Sequence, residues 1–238
     1  MALPKVNETL NFTMKIPSTG KRVKYRPYLV KEEKVLLQAF ESGDIKTCLE
    51  AMVDTLDACL DPKQNVDVGD LATFDIEYMF TQVRAKSVGE TSTILIKCKD
   101  CEEQNQYRIE LDDLEVEMTD KNNIIEINDD ISVEMKYPTY RGFIEQDLGD
   151  LTEENSEAMF QVLASSVAAI LTKDDRIDAT KEDPKDVVEF LESMTAGQLK
   201  KVTAFLEELP SMRHLAKFNC QKCGVDNELE LKGLADFF

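Results

Sequence analysis

Two Cys-x-x-Cys pairs constrain this chain more than any other feature: Cys98-Lys99-Asp100-Cys101 and Cys220-Gln221-Lys222-Cys223-Gly224. A gap of two residues lets one tight turn present both thiolates to a single tetrahedral metal. An apolar run leads into each pair, Thr93-Ile94-Leu95-Ile96 and Ala216-Lys217-Phe218. An alternating run leads out, Gln106 to Leu111 and Glu228 to Leu231. Each pair therefore reads as strand, knuckle, strand. Two such knuckles face to face make a zinc ribbon, with Cys98, Cys101, Cys220 and Cys223 as ligands of a structural zinc. The pairs stand 119 positions apart, whereas a compact ribbon leaves roughly 15–20 residues between them. The expectation is a long segment inserted within the ribbon. The alternatives are two separate turns with reduced thiols, or a redox motif. The redox reading is disfavoured because a reactive Cys-x-x-Cys opens a helix, whose N-terminus lowers a thiol pKa.

The surrounding composition fits a reducing, water-exposed setting. Of the 238 residues, 42% are apolar, enough for a real core, and 32% are charged. No run approaches the roughly 20 apolar residues that span a bilayer. The start, Met1-Ala2-Leu3-Pro4-Lys5-Val6, has no apolar h-region. The expectation is maturation in a cytoplasm, where paired cysteines are metal ligands rather than disulfides. Cys48 and Cys59 fall on one face of an expected helix and read as buried, inert thiols. Net charge is −19, unevenly spread. Residues 1–36 hold eight basic side chains against three acidic ones, so the remainder is strongly acidic. An acidic body repels nucleic-acid phosphates.

Hydrophobic periodicity outlines the rest. Leu10–Ile16 and Arg22–Val30 read as a hairpin about Pro17-Ser18-Thr19-Gly20, with Pro27 ending the second strand. Helices are expected over Lys31–Ser42, from an Asp44 cap to about Leu60, and from Asp70 towards Gly89. Short strands follow at Glu115–Met118, Ile124–Ile127 and Ile131–Met135. Thr152-Glu153-Glu154-Asn155 starts a helix whose core face is Met159, Phe160, Leu163, Val167, Ile170 and Leu171. Lys173–Pro184 is acidic and turn-prone; its aspartates lack the glycine and bidentate Glu of a calcium loop. Helices near Pro184–Met194 and Ala196–Leu209, the second capped by Thr195, lead back to strand.

The fold class is α+β: an N-terminal β-hairpin and helices, central antiparallel strands, and a split four-cysteine ribbon closed by the C-terminus. The expected regions are 1–90 (hairpin and helices), 91–137 (β-rich, first knuckle), 138–213 (helical) and 214–238 (second knuckle and apolar tail).

No catalytic residues stand out. His214 is the single histidine and has no local catalytic signature. There is no Walker loop, dinucleotide fingerprint or nucleophile elbow. Four cysteines fill a tetrahedral zinc and leave no position for water. The residues thus point away from an enzyme, with a nucleic-acid-binding zinc ribbon and a thiol oxidoreductase as alternatives. The terminal Phe237 and Phe238 either fold over the ribbon or serve as an aromatic peg for a partner.

Three stretches together carry a family resemblance: Ala2-Leu3-Pro4-Lys5; Ile16-Pro17-Ser18-Thr19-Gly20-Lys21 with Val23 to Lys34; and the second knuckle with Gly233-Leu234-Ala235-Asp236-Phe237-Phe238. The chain resembles the T4-type bacteriophage baseplate hub and hub-assembly proteins of contractile-tailed phages. The resemblance implies a non-enzymatic part of the central hub, working by contacts with other hub or tape-measure proteins. It also implies presence in the host cytoplasm during assembly and in the virion tail if the protein is a component. The alternative within the family is a chaperone for a tape-measure or hub protein that does not remain in the mature virion. No membrane segment and no small-molecule substrate are expected. The basic hairpin is the expected partner surface, with Lys21, Lys24 and Arg26 as contacts whose charge reversal leaves the fold intact.

Overall fold

The computed structural model describes residues 12–119, 122–145 and 156–237. The Ala2–Lys5 stretch, the helix start at Thr152–Asn155, the side chain of Met159, and Phe238 lie outside the described residues. The described residues form two compact units. One draws on the chain up to Val68, on Phe74–Met118 and on the chain from Pro210. The other comprises Gly69–Thr73 and Thr119–Leu209. Mixed helix and sheet run through the chain, as the α+β reading expected.

The first unit opens with a hairpin of β1 (Phe12–Lys15) and β2 (Arg22–Tyr25), registered Phe12 to Tyr25. Alternation buries Met14, Ile16, Val23 and Tyr25. Between the strands Gly20 takes a φ of 69° and returns its N–H to the Ile16 carbonyl. Helix α1 (Val30–Ser42) begins where Glu32 accepts the Leu29 N–H, and ends at Gly43 in the left-handed region. Helix α2 (Ile45–Cys59) starts as expected at Asp44, whose carboxylate accepts the Thr47 N–H at 3.0 Å. Helix α3 (Thr73–Ser87) buries Phe74, Ile76, Met79, Phe80, Val83 and Ala85. These side chains surround the helix, so α3 is a central element rather than an amphipathic surface one.

The first knuckle follows, carried by the antiparallel pair β3 (Thr91–Lys97) and β4 (Gln104–Glu110). The short β5 (Val116–Glu117) closes this stretch.

The chain then builds the second unit. Its strands β6 (Ile124–Glu126), β7 (Ile131–Met135), β8 (Val167–Thr172) and β9 (Arg176–Asp178) form one antiparallel sheet in that order. Helices α4 (Tyr140–Glu145), α5 (Ser156–Ser165), α6 (Pro184–Glu192) and α7 (Ala196–Glu207) complete it. Thr195 caps α7 by accepting the Gln198 N–H. Val133, Met135, Leu163, Val167, Leu191 and Val202 share the core.

One expected helix is corrected here. The apolar face read through Val167, Ile170 and Leu171 belongs to a helix only as far as Ser165. Residues 167–172 are strand β8, with Val133 opposite Ile170. The spacing 163, 167, 170, 171 suits a helix, but β-branched Val167, Ile170 and Thr172 favour the extended form once β7 supplies a partner. The acidic stretch 173–184 likewise contains β9. Two of its aspartates serve as caps: Asp178 accepts the Thr180 N–H and Asp183 the Lys185 N–H.

The chain returns to the first unit as β10 (Ser211–Asn219) and β11 (Asp226–Lys232), which flank the second knuckle. β10 also pairs with β5, Met212 opposite Val116. Ile96, Ile109, Leu111, Met212, Ala216 and Leu231 share one core beneath the hairpins.

Candidate metal centre

Both knuckles have the same backbone. In the first, the Cys98 N–H bonds the Glu103 carbonyl and the Glu102 N–H bonds the Cys98 carbonyl, at 2.9 and 3.0 Å. In the second, the Cys220 N–H bonds the Val225 carbonyl and the Gly224 N–H bonds the Cys220 carbonyl, both at 2.9 Å. The turn needs a left-handed residue just after the second cysteine. Glu102 supplies it with φ 57° and Gly224 with φ 73°. The flanking strands register alike, Lys97 opposite Gln104 and Asn219 opposite Asp226.

The two turns converge. The sulfurs of Cys98, Cys101, Cys220 and Cys223 all lie within 4.8 Å of one another. Cys98 Sγ is 3.7 Å from Cys223 Sγ, and Cys101 Sγ is 3.6 Å from Cys220 Sγ. A disulfide needs about 2.05 Å, so these are unbonded thiols. Zinc–thiolate bonds of about 2.3 Å in a tetrahedron place the sulfurs about 3.8 Å apart. The donor set and its spacing therefore fit a four-thiolate metal. Cys98 and Cys220 are buried, Cys101 is half-buried and Cys223 is exposed.

The electrostatics around the four sulfurs favour a cation among them. Backbone N–H groups of Cys101 and Asp100 lower the Cys98 thiol to about 6. Those of Cys223 and Lys222 lower Cys220, against desolvation. Cys101 and Cys223 receive the N–H groups of Glu103 and Val225, yet the sulfurs around them and desolvation raise both, Cys223 to about 12. Crowded sulfurs cannot all ionise unless a cation sits among them.

Sequence reasoning missed two asparagines. Asn105 Nδ2 lies 3.7 Å from Cys220 Sγ, and its Oδ1 accepts the Gln221 N–H at 3.0 Å. Asn227 Nδ2 lies 3.5 Å from Cys98 Sγ, and its Oδ1 accepts the Lys99 N–H at 2.9 Å. The signal was available: each asparagine stands four positions after the second cysteine of its own pair. Lys222 adds an exposed ion pair to Glu103 across the knuckles at 2.7 Å.

The other expected site residues separate. Lys21 and Lys24 are exposed on the N-terminal hairpin, Lys21 donating to the Gln64 carbonyl at 2.7 Å. Arg26 departs from the expectation of a fold-neutral contact. Its side chain is 12% exposed and pairs with Glu32 at 2.9 Å, while donating to the Pro27 and Ala58 carbonyls. Phe237 is 0% exposed and packs in the core under the hairpins. His214 on β10 lies 3.0 Å, Nε2 to OH, from Tyr107. Cys59 is fully buried, and burial pushes its thiol up to about 11. Cys48 donates to the Ala39 carbonyl, and desolvation raises it too. Among the described residues no helix is long and apolar enough to cross a membrane.

The sequence profile of the family described as T4 bacteriophage base plate protein matches residues 8–238. No curated protein and no solved structure matches the chain.

Proposed function

The chain belongs to the T4 bacteriophage base plate protein family, and from that premise we propose that it is a structural or assembly subunit of the central hub of a contractile-tailed phage baseplate. It acts through protein–protein contacts in the host cytoplasm during assembly and then in the tail. One zinc ion, held by Cys98, Cys101, Cys220 and Cys223, ties its first unit together. The observation that carries the zinc reading is the gathering of four sulfurs within 4.8 Å. Bound by four thiolates, zinc supplies a crosslink and offers no open coordination position.

Surface chemistry supports contact rather than catalysis. Val30, Leu37 and Phe40 on α1, and Leu95, Leu215 and Leu229 on the ribbon hairpins, are exposed large apolar side chains. Lys21 and Lys24 add positive charge on a chain of net charge −19 and are proposed as partner contacts. The nucleic-acid reading is weaker. Of the lysines beside the knuckles, Lys217 pairs with Glu228 at 2.6 Å and Lys222 with Glu103.

Purification of the tagged protein from infected cells, with metal analysis of the recovered complex, tests the proposal. The expected result is co-purifying hub or tape-measure protein and one zinc per chain. Recovery of nucleic acid without tail proteins overturns it. Mass spectrometry of purified virions separates a component, present stoichiometrically, from a helper, which is absent.

A further inference from the structure

We propose that Asn105 and Asn227 are positioning residues of the metal centre, a crossed pair of amides that hold each knuckle against the other and make Cys98 and Cys220 the least nucleophilic of the four thiolates. The proposal rests on the four-thiolate reading above and extends it to residues outside the ligand set.

Each amide is buried, Asn105 at 3% exposure and Asn227 at 6%. A buried amide left unsatisfied costs free energy, so full pairing indicates a fixed role. Here both polar atoms of each amide are paired. Asn105 on β4 donates to the Glu103 carbonyl of its own knuckle at 2.9 Å. It then reaches across to the Gln221 N–H and Cys220 Sγ. Asn227 on β11 donates to the Val225 carbonyl at 2.8 Å and reaches across to the Lys99 N–H and Cys98 Sγ. A carbonyl partner on one side and an N–H partner on the other set the orientation of each amide, so its Nδ2 must face the sulfur.

The chemistry follows from that orientation. An N–H aimed at a thiolate draws density from sulfur and stabilises its charge. Four thiolates around one divalent ion carry surplus negative charge, and these donors offset part of it. They reach only Cys98 and Cys220, which are 2% and 1% exposed. Among the described residues, no side-chain amide reaches Cys101 or Cys223, and Cys223 is exposed. The outward ligand is therefore also the more reactive one.

The test uses the full chain loaded with zinc or cobalt(II), in wild type, Asn105→Ala, Asn227→Ala and Asn227→Asp. The aspartate keeps an acceptor for the Lys99 N–H and removes the Nδ2 that donates to Cys98 and to the Val225 carbonyl, placing a carboxylate there instead. Competition with a chromophoric chelator should show zinc affinity lowered about 10–100-fold in each variant. The thiolate-to-cobalt charge-transfer band should move to lower energy, a change that a merely structural residue would not produce. Iodoacetamide labelling of the zinc form, mapped by mass spectrometry, should begin at Cys223 in wild type. It should extend early to Cys98 in both Asn227 variants and to Cys220 in Asn105→Ala. Variants with the wild-type band and labelling order overturn the proposal, whatever their affinity. A wild-type chain that takes up neither metal overturns the four-thiolate reading itself, and this proposal with it. An alanine variant that fails to fold leaves Asn227→Asp to decide.

Discussion

Asp75 shows how much one buried carboxylate can organise. It lies on α3 with no exposure, and Ser18 contacts both its oxygens, the backbone N–H at 2.9 Å and the hydroxyl at 2.5 Å. The Pro17–Gly20 turn is thereby tied to the central helix. Asp75→Ala should cost on the order of 2–3 kcal/mol, since both Ser18 donors lose their acceptor. Ser18→Ala should cost clearly less, because the backbone bond survives; urea unfolding of the two variants checks the ranking. Arg26 and Glu32 form the second such device. Burial alone would raise the Glu32 carboxyl, but the Arg26 guanidinium, the Leu29 N–H and Lys31 outweigh it and leave it lowered. A carboxyl lowered in the folded state contributes stability above its unfolded pKa, and that contribution is lost as pH falls through the folded value. Stability should therefore decline as pH falls through and below the ordinary carboxylate range, and Glu32→Gln should flatten that slope in urea melts. Phe237, fully enclosed, should cost about 3–5 kcal/mol when cut to alanine.

At the scale of the element, the two knuckles are one design built with different residues. Gly224 and Glu102 occupy equivalent left-handed positions. A Cβ at Gly224 meets nothing within 4 Å, so Gly224→Ala tests conformation alone. It should destabilise by about 1 kcal/mol and weaken zinc uptake in the same chelator competition. Strand β8 carries the opposite lesson. Its residues satisfy a helical stripe and a strand equally well, and the choice fell to the β7 edge beside it. Local pattern settles an element when its caps agree, as Asp44 and Thr195 do for α2 and α7. It does not settle one whose stability comes from a partner strand.

Across the whole molecule, the ribbon is closed by residues 119 positions apart. Linking such distant points through one ion would restrict the unfolded chain; by analogy with a disulfide that link would contribute on the order of 4–5 kcal/mol. The inserted unit has its own core of Val133, Leu163, Leu191 and Val202. Chelation should therefore act on one unit. Hydrogen exchange should accelerate in β3, β4, β10 and β11 while β7 and β8 keep their protection. Equal acceleration in both units would contradict an independent core. On the surface, Lys21→Glu with Lys24→Glu should reduce recovery of hub partners without changing the melting temperature. Adding Arg26→Glu should lower that temperature, because its partner Glu32 is buried.

The sequence alone determined the two Cys-x-x-Cys pairs, the strand–knuckle–strand setting of each, the capped helices and the α+β class. These rest on short-range rules: thiolate spacing, side-chain caps, and the period of apolar residues. Only the tertiary structure decided that the two knuckles meet, that β8 is a strand, that Arg26 is an internal ion-pair partner, and that the asparagines cross between knuckles. Each of those depends on a neighbour far away along the chain, and the burial and hydrogen bonding that select it exist only once the two segments have come together.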